Sequence, residues 1–494
     1  MEFVLEALKI LFQPVCLLLV AGGAILGMVM GAIPGLSGGL AITLLLPMCY
    51  SLNRYYAIAM LIGIWVGSMS GSCIGSILLG IPGTASSIAT VYDGYELTKQ
   101  GNPVRALSAA VCSNFIGTFP SILVAMLLCP FIAKIAVMIG PAEYFALAFM
   151  AITMVIGLSD GSVLKGLLSV GFAVMFQCVG YAPVSGTPRF TFGSYYLAGG
   201  FNLICIAMGL FAGKTILFEY ARNTKQSESE RIVISGFKFP GKDLISNIGN
   251  IIRSFLIGLW VGFLPGLGGA LSNVVAYSLA KSSSKHPEEF GKGCIDGVIA
   301  PEVANNASIG GALTPMISLG IPGDSTTALL LGGLTIFGVE AGPLMQSDQP
   351  VFVYMIYMAA IIGAIGVLLF QTLGMRLFPS LLKVPYHFLY PVILILCFVG
   401  AYCTTNNNFS VFASIAFTVF GIAMSYFDLP QSPFMLTFVL ANTLETNLRK
   451  AVSYADNGFL TFVTRPVSLI LLIIGLACIV IPLIKRFKKK GAAK

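Results

Sequence analysis

Long apolar stretches constrain the fold of this chain more than any other feature of its sequence. A hydrocarbon core about 30 Å thick is crossed by about 20 apolar residues, because an α-helix rises about 1.5 Å per residue. The clearest stretches cover residues 10–33, 57–79, 106–129, 142–158, 201–217, 351–373, 390–402, 409–426 and 467–484. Only 10% of the 494 residues are charged, against about 25% in an average soluble domain. The sequence therefore predicts a polytopic integral membrane protein.

The membrane-spanning segments are expected to be helices, because a helix satisfies its own backbone hydrogen bonds and lipid offers no partners. No part of the sequence shows the alternating strands of about ten residues that build a transmembrane barrel. When segments interrupted by glycine and proline are included, we count about twelve crossings on the criterion of about 20 residues. We predict an all-α fold with about twelve transmembrane helices.

Basic residues cluster at the C-terminus and in one internal segment. The formal net charge is +8, and the densest cluster is Lys485, Arg486, Lys488, Lys489, Lys490 and Lys494. The positive-inside rule predicts that this tail and the segment 221–250 are cytoplasmic. No nucleic-acid motif accompanies the basic residues, so a nucleic-acid partner is not expected. The 11 cysteines are scattered singly, which favours small core residues over a disulfide or metal framework.

The sequence contains two copies of one pattern. Residues 31–39, GAIPGLSGG, return as residues 262–270, GFLPGLGGA, and residues 80–87, GIPGTASS, return as residues 320–327, GIPGDSTT. The first motif is displaced by 231 residues (266 minus 35) and the second by 240 (322 minus 82). We assign residues 1–220 to a first membrane repeat, 221–250 to a basic cytoplasmic linker, 251–484 to a second membrane repeat and 485–494 to a basic cytoplasmic tail. Two such halves are typical of transporters with a site near the bilayer midplane.

The charges beside the second motif bear on the relative orientation of the halves. Lys99 and Arg105 follow this motif in the first half, whereas Glu340 and Asp348 follow it in the second. A basic flank in one copy and an acidic flank in the other favour opposite orientations, although both halves end in basic segments. We predict inverted repeats.

A Pro-Gly pair interrupts the apolar pattern at four matched positions. Proline removes a backbone donor and glycine allows backbone angles closed to other residues, so each pair is expected to break a helix. The pairs begin at Pro34, Pro82, Pro265 and Pro322. Open backbone groups at membrane depth are costly unless they line a cavity or a ligand site. We therefore expect broken helices or re-entrant segments around a solute site.

Glycines and small polar residues around the breaks form a candidate site for an anion. Hydroxyl groups and free amides at the positive end of a helix dipole bind a carboxylate without a buried cation. The candidate substrate-binding residues are Gly35, Ser37, Gly38, Thr84, Ser86, Ser87, Gly266, Gly268, Asn305, Asn306, Ser308, Ser325 and Thr326. For the two adjacent asparagines, hydrogen bonding between helices is the alternative.

Three carboxylates lie in or beside these segments. Asp296, Glu302 and Asp324 are candidates for ion coupling, because an ionised group inside a membrane is costly and is usually a relay or an ion ligand. Asp324 directly follows a break, where capping of the next helix is the alternative. No cofactor is expected beyond a coupling ion, Na⁺ or H⁺. In contrast, Gly63, Gly67, Gly71 and Gly75 recur every fourth residue, which predicts close helix packing.

One motif resembles that of a hydrolase. Residues 35–39, GLSGG, match the G-x-S-x-G pattern of serine hydrolases, and the first four resemble the nucleophile motif of rhomboid proteases. A nucleophile needs a base, and the second copy has Gly268 where Ser37 stands. His286 and His387, the only histidines, lie outside the transmembrane runs where Ser37 could meet them. We do not expect an enzyme.

The motifs together resemble a known family. The four Pro-Gly motifs, Asp93 with Gly94 and Tyr95, and the run APEVANN at residues 300–306 resemble the large membrane subunit of tripartite tricarboxylate transporters, the TctA-like family. The resemblance extends over essentially the full chain. Asp324 departs from it, because a small uncharged residue is expected at that position.

This resemblance implies a multi-pass permease of the bacterial inner membrane. Its expected partners are a small membrane subunit (TctB-like) and a periplasmic solute-binding protein (TctC-like). Its expected substrates are di- or tricarboxylates such as citrate, imported with a sodium or proton gradient. A carrier that works without a binding protein, or a channel, for another small organic anion is the alternative. A channel would conduct without a gradient of coupling ions.

Overall fold

Residues 2–158, 162–221, 234–382, 386–455 and 457–491 are described by the structure, a computed structural model. Among them, 6 helices are long and apolar enough to cross a membrane. Shorter apolar helices of 10–17 residues add to these. The helices confirm an all-α, multi-pass membrane protein, whereas the number of twelve crossings stays a prediction. Residues 222–233 of the expected linker and 492–494 of the expected tail lie outside the described residues.

The first half consists of helices and one very short hairpin. Its helices are α1 (Glu2–Leu11), α2 (Pro14–Ala32), α3 (Gly38–Leu45), α4 (Arg54–Leu79), α5 (Thr90–Lys99), α6 (Pro103–Val137), α7 (Pro141–Leu158), α8 (Val163–Gln177), α9 (Tyr195–Ala198), α10 (Leu203–Ala207) and α11 (Lys214–Ala221). The strands β1 (Gly180–Tyr181) and β2 (Pro188–Arg189) pair antiparallel between α8 and α9. A π-helical turn, Met208–Gly213, joins α10 to α11.

The second half contains helices and connecting loops, without a strand in its described residues. Its helices are α12 (Gly241–Ser246), α13 (Ile248–Phe263), α14 (Gly268–Ser283), α15 (Asp296–Leu319), α16 (Ser325–Ile336), α17 (Met345–Asp348), α18 (Pro350–Leu373), α19 (Phe378–Leu381), α20 (Tyr386–Thr405), α21 (Asn408–Tyr426), α22 (Gln431–Tyr454), α23 (Thr461–Thr464) and α24 (Pro466–Gly491). The basic tail begins inside α24.

Each of the four Pro-Gly pairs lies between two helices. The breaks separate α2 from α3, α4 from the short turn before α5, α13 from α14, and α15 from α16. Equivalent breaks have the same backbone shape, because Gly80 and Gly320 end their helices with φ angles of 69° and 70° in the left-handed region. Glycine adopts this conformation without steric cost.

The two halves also pack alike. Gly27 of α2 lies against the Ile64 carbonyl of α4, where a Cβ atom would collide with the oxygen. Gly258 of α13 lies in the same way against the Ala304 carbonyl of α15. These pairs are displaced by 231 (258 minus 27) and 240 (304 minus 64) residues, as the motifs are. The same displacements relate two further pairs of contacts. Gly31 against the Ser68 carbonyl corresponds to Gly262 against the Ser308 carbonyl, and Gly71 against the Met28 carbonyl corresponds to Gly311 against the Leu259 carbonyl.

The row of glycines on α4 is a packing surface. Gly63, Gly67, Gly71 and Gly75 approach the backbone of α2 at Val20, Ala24, Met28 and Ala32. The prediction of close helix packing is confirmed. Because these residues are glycines, the backbones of α2 and α4 come into direct contact. This contact fixes the position of the break that follows α2 and of the break that follows α4.

The long helices of the two halves are interleaved. The α6 helix packs against α15 of the other half, and α18 packs against α4. The α4 and α15 helices cross near their middles, where the Asn305 side-chain amide donates to the Met69 carbonyl at 3.2 Å. Ile77, near the C-terminal end of α4, shares an apolar cluster with Val298, near the N-terminal end of α15. The two equivalent helices are therefore antiparallel.

The second half has nine more residues between its two motifs than the first (240 minus 231). A structured loop, residues 284–295, lies in this interval between α14 and α15. The amides of Gly291, Gly293 and Cys294 donate to Asp93 Oδ1 at 2.8, 2.9 and 2.8 Å. The Tyr277 hydroxyl donates to the other oxygen at 2.9 Å. Asp93 thus joins α5 of the first half to the loop of the second.

Candidate functional site

The four breaks meet around the crossing of α4 and α15. A Cβ atom on Gly38, at the start of α3, would lie 3.9 Å from the Thr326 methyl group at the start of α16. A Cβ atom on Gly269, at the start of α14, would lie 3.2 Å from Ser86 Cβ. The two contacts are equivalent, because Gly269 is the repeat counterpart of Gly38 (269 minus 38 is 231) and Thr326 is the counterpart of Ser86 (326 minus 86 is 240). The first break of each half therefore contacts the second break of the other half.

Two helices at this junction begin with a side-chain cap. Ser37 Oγ accepts the Leu40 amide at 3.1 Å at the start of α3. Asp324 Oδ1 accepts the Thr327 amide at 2.7 Å, and Thr327 Oγ1 accepts the Asp324 amide at 2.7 Å. This reciprocal arrangement is a capping box. Asp324 therefore caps α16, which is the alternative to ion coupling. Its side chain also lies next to Gly268.

The start of α14 has no such cap. Leu267 precedes the helix, and no side chain caps its first amides. Gly268 lies against Asp324, and Gly266 lies against Val155 of α7. The break at Pro265 is thus enclosed by α7 on one side and by the α16 cap on the other.

The hydroxyl groups after Pro82 differ in their partners. Thr84 and Ser86 share a hydrogen bond of 2.7 Å between their hydroxyl groups. Ser87 donates to the Thr84 carbonyl at 3.1 Å, and Ser76 of α4 donates to Ser87 at 2.8 Å. Ser87 is therefore held against α4, whereas Thr84 and Ser86 remain beside the breaks.

The two adjacent asparagines of α15 have different surroundings, although both are fully buried. Asn306 Oδ1 accepts from Ser70 at 2.7 Å and from Thr118 at 3.1 Å, and Asn306 Nδ2 donates to Asn114 at 2.8 Å. Its amide is therefore engaged between α4, α6 and α15, which is the helix-to-helix alternative. Asn305 donates to Met69, but its oxygen has no partner. That oxygen lies beside Gly269.

The remaining predicted residues lie as follows. Ser308 donates to the Asn305 carbonyl at 2.6 Å within α15, and Ser325 is the first residue of α16. Asp296 is the first residue of α15, about 18 Å along the helix from Ser308 at 1.5 Å per residue. Asp296 is therefore remote from the junction of the breaks, because that junction surrounds the middle of the helix.

Glu302 is buried in a polar cluster that the sequence interpretation did not assemble. Thr90 donates to Glu302 Oε1 at 2.5 Å, and Asn273 Nδ2 donates to Thr90 at 3.3 Å. The Asn273 oxygen accepts the Ala89 amide at 2.9 Å. Spacing could have indicated the two additional residues, because Thr90 follows Ser86 by one helical turn and Asn273 follows Gly269 by one turn.

The hydrolase-like motif has a structural role. Ser37 caps α3, and His286 lies exposed in the loop 284–295 with Glu288 at 3.4 Å. The side chain of His387 lies outside the described part of the chain. The Ser37 hydroxyl therefore has a function in helix capping that needs no base.

Comparisons with known proteins agree with this architecture. The family model of the tripartite tricarboxylate transporter TctA family matches residues 17–436. A protein of Agrobacterium vitis, named "Uncharacterized 52.8 kDa protein in TAR-I ttuC' 3'region", is 34% identical over 472 residues, which cover 95% of this chain and 93% of that protein. A second protein of that organism, "Uncharacterized protein in TAR-II ttuC' 3'region", is 34% identical over 233 residues, 47% of this chain and 96% of that protein.

No solved structure matches the chain. The family match covers both halves and all four Pro-Gly breaks, and a relative matches nearly the whole chain. A transport role rather than catalysis follows from the family. The chain belongs to the tripartite tricarboxylate transporter TctA family.

Proposed function

We propose that the protein is the large permease subunit of a secondary transporter that imports small di- or tricarboxylate anions. The observation that carries the proposal is the meeting of four interrupted segments at the crossing of α4 and α15. Broken helices in matched positions of two halves are the usual architecture of a midplane transport site. The family membership supports the same function.

The anion would bind at the starts of α3, α14 and α16. Donors at the positive ends of helix dipoles are the amides of the uncapped α14 start, those that the Ser37 and Asp324 caps leave open, and the nearby hydroxyl groups. Six of the predicted residues remain as the preferred contacts: Ser37, Gly38, Thr84, Ser86, Gly268 and Thr326. In the described residues no lysine or arginine forms an ion pair at this junction. The helix starts would therefore provide the favourable potential.

The transporter would depend on partners of the tripartite type. A periplasmic solute-binding protein would deliver the substrate, and a small membrane subunit would complete the membrane complex. A gradient of Na⁺ or H⁺ would drive import. The tripartite family supports both partners. The two carboxylates near the junction, Glu302 and Asp324, support a coupling cation that offsets negative charge as the substrate crosses.

The halves would be inverted repeats in a bacterial inner membrane, with about twelve crossings and a cytoplasmic C-terminus. The antiparallel course of α4 and α15 supports inversion, because equivalent helices reverse direction under a two-fold axis in the membrane plane. Basic residues in the linker and the tail support the cytoplasmic assignment.

A substitution at the junction tests the proposal. Thr326 contacts Gly38 from the other half, so Thr326→Leu would fill the space between the breaks. Thr372→Leu is the matched control, because Thr372 Oγ1 donates to the Leu368 and Leu369 carbonyls of its own helix, α18.

The measurement is uptake of labelled citrate, succinate and other small carboxylates into vesicles that hold the complete membrane complex, with the binding protein and an ion gradient. We expect uptake of one of these acids by the wild type, a loss of about tenfold or more in Thr326→Leu from misplacement at the site, and normal uptake in the control. Normal uptake by both variants at equal expression would contradict the proposed site. Wild-type flux without a gradient would indicate a channel.

A further inference from the structure

Two buried oxygen atoms one helical turn apart on α15 have no hydrogen-bond partner. They are Glu302 Oε2 and Asn305 Oδ1, and both residues are 0% exposed. A buried acceptor without a donor costs free energy. Of the 13 buried side-chain atoms without a partner in the described residues, these two are the only pair one helical turn apart on one helix face. We propose that these atoms belong to a binding site for a monovalent metal cation, occupied by Na⁺ during transport.

The hydrogen bonds fix Asn305 Oδ1 as an acceptor and leave Glu302 Oε2 without a donor. Asn305 Nδ2 faces the Met69 carbonyl, which only accepts, so the amide oxygen must point away from it. The Thr90 oxygen accepts a proton of Asn273 and its own proton goes to Glu302 Oε1. The carboxylate is thereby held as an acceptor on one oxygen while the other stays open. A cation satisfies both free oxygens at once.

The surroundings supply further oxygen ligands and a matching charge. Ser86 lies beside Gly269, which also contacts the Asn305 oxygen, so a hydroxyl stands at the same junction. A carboxylate, an amide oxygen and a hydroxyl are ligands that hard cations prefer. Among the described residues no basic side chain pairs with Glu302, so the single negative charge matches one monovalent cation.

The nearby carboxylate Asp93 is different. Its two oxygens accept the Tyr277 hydroxyl and three backbone amides. Asp93 therefore has its negative charge satisfied by fixed donors, whereas Glu302 has one donor and one open oxygen. The open oxygen, and not the presence of a buried carboxylate, distinguishes the proposed site.

The internal repeat provides a comparison within one molecule. The positions equivalent to Glu302 and Asn305 are Ile62 (302 minus 240) and Trp65 (305 minus 240). The equivalents of Thr90 and Asn273 are Leu330 (90 plus 240) and Ile42 (273 minus 231). All four equivalents are buried in one apolar cluster: Ile42, Ile62, Trp65 and Leu330. The equivalent junction is therefore packed with three aliphatic side chains and Trp65, whose indole nitrogen has no partner in the described residues, and these four positions have no carboxylate or amide oxygen. The fold does not need the acceptor oxygens of the second half, which points to another purpose for them.

The role of the site in coupling rests on the proposed transport function, but cation binding is tested without substrate. The experiment is equilibrium binding of ²²Na⁺ to the purified full chain in detergent. We expect saturable binding by the wild type and none by Glu302→Gln, which keeps the shape and removes the charge. Asp296→Asn is the matched control, because Asp296 begins the same helix but lies remote from the junction, and this variant should bind as the wild type does.

A second variant keeps the test decisive if Glu302→Gln does not elute as a folded protein. Thr90→Val removes the hydroxyl that orients Glu302 and should weaken ²²Na⁺ binding by about tenfold to 100-fold, as loss of a ligand's supporting hydrogen bond does. Wild-type binding by either folded variant would overturn the inference. So would a wild type that binds no ²²Na⁺, including one whose uptake depends only on pH. Na⁺ binding without any uptake by the complete complex would instead contradict the proposed transport function.

Discussion

At the scale of single residues, the structure separates side chains that hold the helices together from those that are open to a ligand. Asn306, Ser87 and Asp93 have their polar groups engaged in bonds between elements. Asn305 and Glu302 each leave one side-chain oxygen without a partner. Residue type did not distinguish these two groups, because two adjacent asparagines on one helix belong to different ones.

Asn306 should be more important for stability than its neighbour Ser308. Asn306→Leu would leave Ser70, Thr118 and Asn114 without their shared partner, at a cost of about 1–3 kcal/mol for an unsatisfied buried group. Ser308→Ala removes only a bond within α15. We expect a lower midpoint of thermal unfolding in detergent for the first variant and little change for the second. Equal midpoints would show that the polar contacts of Asn306 contribute nothing to stability.

Sequence reasoning found the glycines, hydroxyl groups and carboxylates near the breaks, because proline and glycine mark their positions directly. It did not assemble Thr90 and Asn273 with Glu302. The α5 segment and α14 come together only through tertiary packing between the two halves. Spacing within each segment relates Thr90 to Ser86 and Asn273 to Gly269, but it does not indicate that the two segments meet at Glu302.

At the scale of elements, close packing of helix pairs fixes where the breaks lie. The α2–α4 and α13–α15 pairs use the same glycine contacts, displaced by the same numbers of residues as the motifs. The glycine row on α4 was predicted from its spacing. The match in α13 was not, because only some of its glycines recur, and the backbone contacts there became evident from the fold.

Gly67→Ala tests this packing, since its Cβ atom would collide with the Ala24 carbonyl of α2. Overpacking of this kind costs about 1–3 kcal/mol. Gly22→Ala is the control, because no atom lies within 4 Å of a Cβ atom at that position of α2. We expect a reduced yield of monodisperse protein and a lower thermal midpoint for the first variant only. A similar loss in both would show that the contact with Ala24 is not its cause, because helix propensity alone favours alanine over glycine.

At the scale of the whole molecule, the two halves interleave so that each completes the junction of the other. The first break of one half contacts the second break of the other, and α6 and α18 each pack on the opposite half. The duplication was evident from the motifs. The exchange of contacts between halves was not, because a repeat in sequence does not specify which copies touch.

Membrane topology tests the proposed inversion. Asn102 lies in the loop before α6, and Lys285 lies in the loop before α15. These two loops are on the same side of the molecule, because Gln100 of the first donates to the Lys292 carbonyl of the second at 2.8 Å. Tyr195, which is 89% exposed, lies between α8 and α10. In a chain whose native cysteines have been replaced, Asn102→Cys and Lys285→Cys should react with an impermeant maleimide only from the cytoplasmic face, and Tyr195→Cys only from outside. Labelling of Asn102→Cys and Lys285→Cys from opposite faces would exclude the arrangement.

The central claim is that a carboxylate binds where the four breaks meet. The direct measurement is a cryo-electron microscopy structure of the complete complex with a substrate that the uptake assay has identified. We expect density for that anion between Gly38, Gly268 and Thr326, within hydrogen-bonding distance of the amides that begin α3, α14 or α16. Density for the anion elsewhere, or unbroken helices through Pro34, Pro82, Pro265 and Pro322, would contradict it.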